Sequence, residues 1–298
     1  KHRRVVNGRL SPDTNTEYLM YQIIVALWPP PRAGRRRDDL PDRAWRESAR
    51  ERLAAYALKA AREAKTRTSW VDPDADYERA LRDFIAAILE PAADAPFLID
   101  VARLVSRVAA PGAWNALSRL VVHLTSPGTP DVYQGDELWN FALVDPDNRR
   151  LVDYDLRRTA LAELPTWEPQ VRVTDPFDHR LKLSVTRRLL RLRRSLPRLF
   201  ALGGYERLSV RGPRASHVIA FARTFEDRRS ITLASRLLHD ETSTVDAEWW
   251  RNTAVVMTND FRQGVWTSAL ADTRIATTDD SIDVAAALGK LPAVVLVN

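Results

Sequence analysis

Apolar residues recur at helical spacing through the first half of the chain. In residues 16–28, Leu19, Ile23 and Leu27 fall on one face, which predicts an amphipathic helix. The segment SPDTN precedes this helix with turn and capping residues, and PPPR follows it as a stop signal. Further helices are predicted, each after Pro, Asp or Gly, over residues 41–66, 74–90, 96–109 and 112–124. The chain up to about residue 125 is therefore expected to be nearly all helix.

The pattern changes near residue 203, where alternating and β-branched runs replace the helical spacing. Runs such as HVIAFART (217–224), SITLASRLL (230–238) and PAVVLV (292–297) are separated by Gly, Asp and Asn. This pattern predicts an antiparallel sandwich or meander of roughly five to eight strands. The expected fold class is α+β, with a helical domain at 1–202 and a β-sandwich domain at 203–298.

Composition narrows the possible chemistry. The 298 residues are 45% hydrophobic, enough for a sizeable core, and the lack of cysteine excludes disulfides and thiolate chemistry. No apolar run approaches the roughly 18 residues of a membrane span, and KHRRVVNGRL at the N-terminus lacks the apolar core of a signal peptide. The histidines show no metal-ligand spacing and there is no glycine-rich phosphate loop, so we expect neither a metal nor a cofactor.

The net charge of +6 comes largely from arginine-rich segments. In VTRRLLRLRRSLPRLF (185–200) the arginines interleave with leucines at helical spacing, and no aromatic residues alternate with them as a single-strand-binding face requires. We expect solvated helix faces and neither a nucleic-acid nor a membrane partner. An acidic partner is the alternative, and tight, steeply salt-dependent DNA binding would contradict this interpretation.

Two polar segments carry the candidate chemistry. The first, SPGTPDVYQGDELW (126–139), follows an apolar run and places Tyr133, Gln134, Asp136 and Glu137 close together. Its pattern predicts a helix, a tight turn, a short strand and a loop. In a (β/α)8 barrel, that order puts the residues after the strand on the catalytic face.

The second polar segment is LVDPDNRRLVDYDLRR (143–158), which contains many turn formers between apolar anchors. It therefore predicts a loop of the kind in which binding groups collect. Carboxylates, amides and arginines give directed hydrogen bonds to sugar hydroxyls, and Trp139 and Tyr154 can cover the apolar faces of pyranose rings. Taken singly, each segment could also be an ordinary surface turn with screened ion pairs.

Together these segments resemble the maltooligosyl trehalose synthase family of the alpha-amylase clan. Supporting stretches are PDTNTEYLMYQIIVALWP (12–29), REAKTRTSW (62–70), GAWNALSRLVVHLTSPGTPDVYQGDELW (112–139) and GGYERLSVRGPRASHVIAFAR (203–223). Asp136 stands where this family is expected to have Thr, and Leu151 stands where it usually has Pro. The resemblance implies that the region 1–202 holds a helical insertion and the last segment of a (β/α)8 barrel.

The resemblance also implies a function. The family converts the reducing-end α-1,4 linkage of a maltooligosaccharide into an α,α-1,1 linkage, by intramolecular transglycosylation with retention of configuration. Retention requires two carboxyl groups roughly 5 Å apart. In this family the nucleophile Asp, the acid/base Glu and a third Asp all precede the stretch matched by residues 5–28, and their motifs are absent from this sequence. We therefore expect a C-terminal fragment with no catalytic residue and no activity of its own.

Carried over position by position, the resemblance implies substrate-binding residues only. These are Tyr133, Gln134, Glu137, Asp147, Asn148, Arg149, Arg150, Asp153 and Tyr154. Arg150 is the first choice, because an arginine near this place in the clan pairs with an upstream aspartate at the floor of the sugar pocket. That aspartate is expected upstream of this chain, so Arg150 should be unpaired or disordered here. We expect the polar clusters around Gln134 and Arg150 to line a carbohydrate cleft.

The implied partners are a maltooligosaccharide and the missing N-terminal catalytic portion, and the implied location is cytoplasmic. Two alternatives stay open. One is a fragment of another alpha-glucan transferase or amylase that shares the same loops. The other is a non-catalytic module that assembles with a separate catalytic half.

Overall fold

The structure is a computed structural model that describes residues 1–31, 36–164, 175–238, 247–258, 261, 265–277 and 280–298. Two compact units are formed by segments that alternate along the chain. Unit 1 contains residues 1–109 and 140–151, and unit 2 contains residues 110–139 and 152–298. None of the described helices is both long enough and apolar enough to span a bilayer.

Unit 1 is built from a short hairpin and a group of helices. Strands β1 (Arg4–Val6) and β2 (Arg9–Ser11) pair antiparallel, with Asn7 and Gly8 in left-handed conformations at the turn. The described helices are α1 (Thr14–Leu27), α2 (Arg43–Ala64), α3 (Ala75–Ile88) and the first part of α4 (Pro91–Thr125). An aspartate caps each of the first three helices, and its carboxylate accepts hydrogen bonds from first-turn amides.

The first three predicted helices of unit 1 are confirmed to within a few residues at each end. Met20, Leu53 and Ile85, one from each of α1, α2 and α3, are at most 1% exposed and share a core. One helix, α4, replaces the two helices predicted at 96–109 and 112–124, because the helix continues through Pro111 and Gly112. The non-helical residue within it is instead Asp94, at φ −153° and ψ 57°.

Unit 2 contains the end of α4, further helices and two antiparallel sheets. The helices are α5 (Tyr154–Glu163), α6 (His179–Ser195), α7 (Pro197–Leu202), α8 (Ala247–Trp250) and α9 (Val284–Leu288). The strands are β3 (Gly204–Arg207), β4 (Val210–Arg211), β5 (Val218–Phe225), β6 (Arg228–Ser235), β7 (Ala254–Val256), β8 (Val265–Ser268), β9 (Arg274–Ala276), β10 (Ser281–Asp283) and β11 (Ala293–Val297). The prediction of an α+β chain is therefore confirmed.

The larger sheet has the strand order β3-β5-β6-β11-β8-β9, and the smaller one has the order β10-β7-β4. At the centre of the larger sheet, Ile231 lies opposite Ala222 on one side and Leu296 on the other. Buried residues of both sheets, among them Val255, Ile282, Leu233 and Leu296, belong to one hydrophobic cluster. This burial explains why the β-branched runs were a strong sequence signal.

Two sequence expectations need comment. The short strand predicted within residues 126–139 is wrong, because this segment has no strand and no ladder partner among the described residues. The helix-to-strand change does fall at the expected place, since α7 ends at Leu202 and β3 begins at Gly204. The two compact units divide the chain at other positions than residue 202. The domains at 1–202 and 203–298 stay a prediction.

Candidate functional site

The second polar segment enters unit 1 as residues 143–151, which we call the second loop. Arg52 of α2 binds it through Asp147, with Nε and Nη2 each 2.8 Å from a carboxylate oxygen. Asp147 Oδ2 also accepts the Leu143 amide at 2.7 Å, and Arg52 Nη2 donates to the Phe141 carbonyl at 2.6 Å. Only 3% of the Asp147 side chain and 17% of the Arg52 side chain are exposed. The pair therefore fixes both the side chain and the backbone of the loop.

The electrostatics of Asp147 follow from these contacts. Burial acts to raise the pKa of Asp147, but the hydrogen bonds from Arg52 and the Leu143 amide outweigh it and hold the pKa below its usual value. Asp145 is held in a similar way, since Lys59 Nζ lies 2.7 Å from its Oδ2. The hydrogen bond from Lys59 and the charge of Arg149 lower the pKa of Asp145. Both carboxylates are therefore anionic anchors at neutral pH.

The remaining predicted residues of the second loop face outward to different degrees. Residues Asp147–Arg149 form one 3-10 turn. Asn148 is half-buried, and its Oδ1 has no hydrogen-bond donor among the described residues. The side chains of Arg149 and Arg150 are 73% and 61% exposed. Arg150 Nη1 lies 4.0 Å from Asp147 Oδ1, an ion pair that is too long for a hydrogen bond, so the expectation that Arg150 is unpaired is wrong. The exposed side chain of Arg150 can still reach a ligand.

The first polar segment, residues 126–139, lies in unit 2, and we call it the first loop. Basic side chains hold its backbone where the predicted strand would have formed ladder bonds. The contacts are Arg193 to Gly128 O at 3.0 Å, His123 Nε2 with Asp131 O at 2.9 Å, Arg157 to Gly135 O at 2.5 Å and Lys182 to Leu138 O at 2.9 Å. Side-chain hydrogen bonds from other elements therefore fix an irregular segment that lacks ladder bonds.

The predicted binding residues of the first loop fall into two groups. Tyr133 and Gln134 are exposed, with Tyr133 at 41%, and Gly135 after them has φ +93°, which favours glycine. Glu137 Oε2 instead accepts Arg157 Nε at 3.0 Å. Tyr133 and Gln134 are therefore available to a ligand, whereas Glu137 helps to fix the loop.

Lys182 is a half-buried cation that holds the first loop. Its Nζ lies 5.2 Å from the centre of the Trp139 ring, and Trp139 also packs against Phe177 with ring centres 5.9 Å apart. Burial lowers the pKa of Lys182, against the opposing charges of Asp136 and Glu137. Trp139 is held among these groups and not displayed as a free sugar platform.

The last two predicted residues begin α5 in unit 2. Asp153 is its N-cap, with Oδ1 accepting the Leu156 amide at 2.9 Å, and its carbonyl accepts Arg157 Nη1 at 2.9 Å. Tyr154 is 51% exposed. Asp153 is thus a capping residue, while Tyr154 offers an aromatic face.

Sequence reasoning placed the loops but missed the residues that hold them. Asp147, Asn148, Arg149 and Arg150 lie in unit 1, and Tyr133, Gln134, Glu137, Asp153 and Tyr154 lie in unit 2. The expected common cleft therefore stays a prediction. Among the described residues, no group of three or more His, Asp or Glu side chains is arranged to hold a metal. Each half of the predicted set is nevertheless anchored in its own unit by an arginine that the sequence analysis did not single out, Arg52 and Arg157.

Known proteins similar to this chain in sequence and known proteins similar to it in structure carry the same name. A Mycobacterium tuberculosis protein named as a maltooligosyl trehalose synthase is 38% identical over 213 residues, which is 72% of this chain and 24% of that protein. The solved structure of maltooligosyltrehalose synthase from Arthrobacter ramosus superimposes with a TM-score of 0.69 at 34% identity, covering 94% of this chain and 32% of that one. Another maltooligosyl trehalose synthase structure gives a TM-score of 0.63 at 23% identity, which supports the fold alone, over 95% of this chain and 33% of that one.

The coverage is strongly one-sided. This chain spans about a quarter of the curated relatives and about a third of the solved structures that it matches. No protein-family model matches the chain. Sequence identity and fold nevertheless agree on the same group of proteins, and the resemblance inferred from the two loops is confirmed. The chain is homologous to the maltooligosyl trehalose synthases.

Proposed function

We propose that the chain is the C-terminal portion of an enzyme that converts maltooligosaccharides to maltooligosyl trehalose. The overall reaction moves the reducing-end α-1,4 linkage to α,α-1,1 with retained configuration. The observation that carries the proposal is the agreement with the Arthrobacter ramosus enzyme, at 34% identity over 94% of this chain. In this proposal, the last segment of a (β/α)8 barrel lies within residues 1–202 and the strands after residue 203 form the β-sandwich domain.

The two loops are proposed to bind the glucan and not to carry out the chemistry. Three of their carboxylates are already engaged: Asp147 with Arg52, Asp145 with Lys59, and Glu137 with Arg157. A nucleophile or general acid in a retaining glycosidase needs a carboxyl group that faces the scissile bond and a second one about 5 Å away. A carboxylate that accepts an arginine fork is poorly suited to either role.

The groups available to sugar hydroxyls are Tyr133 and Gln134 in the first loop, Arg149 and Arg150 in the second loop, and Tyr154 at the start of α5. Arginine and amide side chains donate directed hydrogen bonds, and exposed tyrosine rings cover apolar sugar faces. Anchoring by Arg52, Arg157 and Lys182 orders both loops before binding, which reduces the entropy lost when a ligand is bound. The reacting carboxylates are proposed to belong to an upstream portion of the enzyme.

The proposal is tested by incubating the chain with maltopentaose and measuring both binding and products. Calorimetry is expected to show saturable binding of maltopentaose and none of cellopentaose, and chromatography is expected to show neither maltotriosyl trehalose nor glucose. Arg150→Ala should weaken binding about tenfold, as loss of one charge-assisted hydrogen bond predicts. Arg107→Ala, which removes an exposed arginine of unit 1 outside the loops, should not change it.

A second arm of the experiment adds the upstream portion of the Arthrobacter ramosus enzyme as a separate polypeptide. Formation of maltotriosyl trehalose only in the mixture would support the division of roles proposed above. Turnover by this chain alone would contradict the assignment of the catalytic carboxylates to another portion. Equal weakening by Arg150→Ala and Arg107→Ala would contradict the role of the second loop.

A further inference from the structure

A cavity with a volume of about 720 Å³ lies in unit 1, and none of its described lining residues belongs to the second loop. Its apolar lining comes mainly from alanines of α2 together with Leu19 and Met20 of α1. The lining also includes three arginines, Arg3, Arg9 and Arg67, from three different segments. A volume of this size is within the range of small-molecule sites.

The arginines of this cavity are incompletely paired. Arg3 forms an ion pair with Glu17 at 3.0 Å. Arg9 is exposed and has no carboxylate within ion-pair distance among the described residues. Asp13 is the one acidic residue among the described lining residues, and its carboxylate accepts the amides of Asn15 and Thr16 and the hydroxyl of Thr16. Three arginines against two carboxylates, those of Asp13 and Glu17, leave an excess of one positive charge.

Arg67 is held in place in a way that leaves donors free. Its Nη2 donates to Ser11 Oγ at 3.0 Å and to the Val6 carbonyl at 3.4 Å, and its guanidinium lies over the Tyr77 ring at 4.9 Å. In the described part of the chain, its Nε and Nη1 have no hydrogen-bond acceptor. A fixed guanidinium with free donors fits the planar, multidentate recognition of a phosphate group.

We propose that this cavity binds a phosphate-bearing small molecule. A neutral glucan fits less well, because Tyr77, the one aromatic residue among the described lining groups, is 2% exposed and covered by Arg67. Sugar rings therefore find no aromatic platform there, whereas an anion finds Arg9 and Arg67, which have no carboxylate partner among the described residues. The site is separate from the loops of the proposed function and does not depend on that function.

The proposal is tested by calorimetry with inorganic phosphate, glucose 1-phosphate and glucose. Both phosphates are expected to bind saturably and to compete for one site, and glucose is not expected to bind. Arg9→Ala is expected to weaken phosphate binding about tenfold, and Arg67→Gln should weaken it further. Arg107→Ala removes one exposed positive charge of the same unit outside the cavity and should leave phosphate binding unchanged.

The relative affinity of the two phosphates distinguishes the source of the ligand, since a sugar-phosphate site binds glucose 1-phosphate more tightly than inorganic phosphate. Arg9 is exposed and makes no described polar contact, so Arg9→Ala is expected to fold even if Arg67→Gln does not. The proposal is overturned if neither phosphate binds at about 10 mM. It is also overturned if Arg9→Ala and Arg107→Ala weaken binding equally, or if glucose binds and both phosphates fail to do so.

Discussion

Replacing Arg52 by methionine removes the hydrogen bonds that hold the second loop on α2. Two of them go to Asp147 at 2.8 Å, and a third goes to the Phe141 carbonyl at 2.6 Å. Methionine retains much of the apolar length of the side chain, so the substitution tests the charge and the hydrogen bonds more than packing. The carboxylate of Asp147 then stays buried with only the Leu143 amide as a close donor.

Breaking a buried ion pair by removing one partner costs about 3–5 kcal/mol. The hydrogen bond from the Leu143 amide remains, and Arg52 is partly exposed. The expected loss in the free energy of unfolding is therefore about 3 kcal/mol. Asp147→Asn should cost less, about 1–2 kcal/mol, because the amide oxygen still accepts from Leu143 and Arg52 can reach water. Urea unfolding at pH 7, monitored by tryptophan fluorescence, measures both values. The double variant should lose less than the sum of the two single variants.

The loss in the free energy of unfolding caused by Arg52→Met should depend on pH. The pKa of Asp147 is lower in the folded chain than the value of about 3.9 for an unfolded aspartate, so its contribution to stability is fully present above that unfolded value. The contribution is lost as pH falls through the folded pKa, when the carboxylate becomes neutral. The difference between wild type and Arg52→Met should therefore shrink below about pH 4.

The matched control is Arg50→Met, which removes an exposed arginine from the same helix and should change stability by less than about 0.5 kcal/mol. A loss below about 1 kcal/mol for Arg52→Met, with no dependence on pH, would refute the reasoning. So would equal losses for Arg50→Met and Arg52→Met.

Three further predictions concern unit 2. Arg223 is 1% exposed and donates four hydrogen bonds to backbone carbonyls. Arg223→Met should therefore lower the free energy of unfolding by about 3–5 kcal/mol. A loss under about 1 kcal/mol in urea unfolding would contradict this prediction. A Cβ on Gly203 would lie 2.9 Å from the Thr224 carbonyl oxygen and closer still to that of Leu199. Gly203→Ala should therefore lower the free energy of unfolding by about 1–3 kcal/mol and lower the melting temperature. An unchanged melting temperature would show that the backbone adjusts. Lys182→Met should lower the free energy of unfolding by about 1–2 kcal/mol and weaken maltopentaose binding. Lys182→Arg should lose less of both the stability and the affinity. An unchanged maltopentaose affinity in Lys182→Met would exclude a positioning role for Lys182.

The elements that local patterns specify were predicted well. The helices α1, α2 and α3 each follow an aspartate that caps them, and their apolar faces share one core. The β-branched runs of residues 218–225, 230–235 and 293–297 became the central strands of the larger sheet. In these regions, capping, periodicity and burial favour the same structure, which makes a single sequence informative.

The failures involve long-range pairing. Arg52 and Asp147 are 95 positions apart, and Lys182 lies 44 positions from Leu138, so no local pattern indicates either contact. The strand expected in the first loop did not form, and arginine and lysine side chains donate to its carbonyls where a neighbouring strand would have done so. Such donors are invisible in the sequence of the loop itself.

The candidate site was partly predictable for the same reason. Clusters of turn formers and polar groups correctly marked the two loops, since such residues are unsuited to a core. Which of them face outward could not be predicted. Glu137 and Asp147 were expected to contact substrate, but each is paired with an arginine from another element, while Tyr133 and Arg150 remain exposed.

The central claim, that the two loops bind a glucan, is tested most directly by following backbone amide resonances during a maltopentaose titration. Saturable shifts are expected for amides of residues 133–137 and for amides of residues 148–154 with maltopentaose, and no shifts are expected with cellopentaose. Saturable shifts confined to residues outside both loops, or an absence of shifts at millimolar maltopentaose, would contradict it.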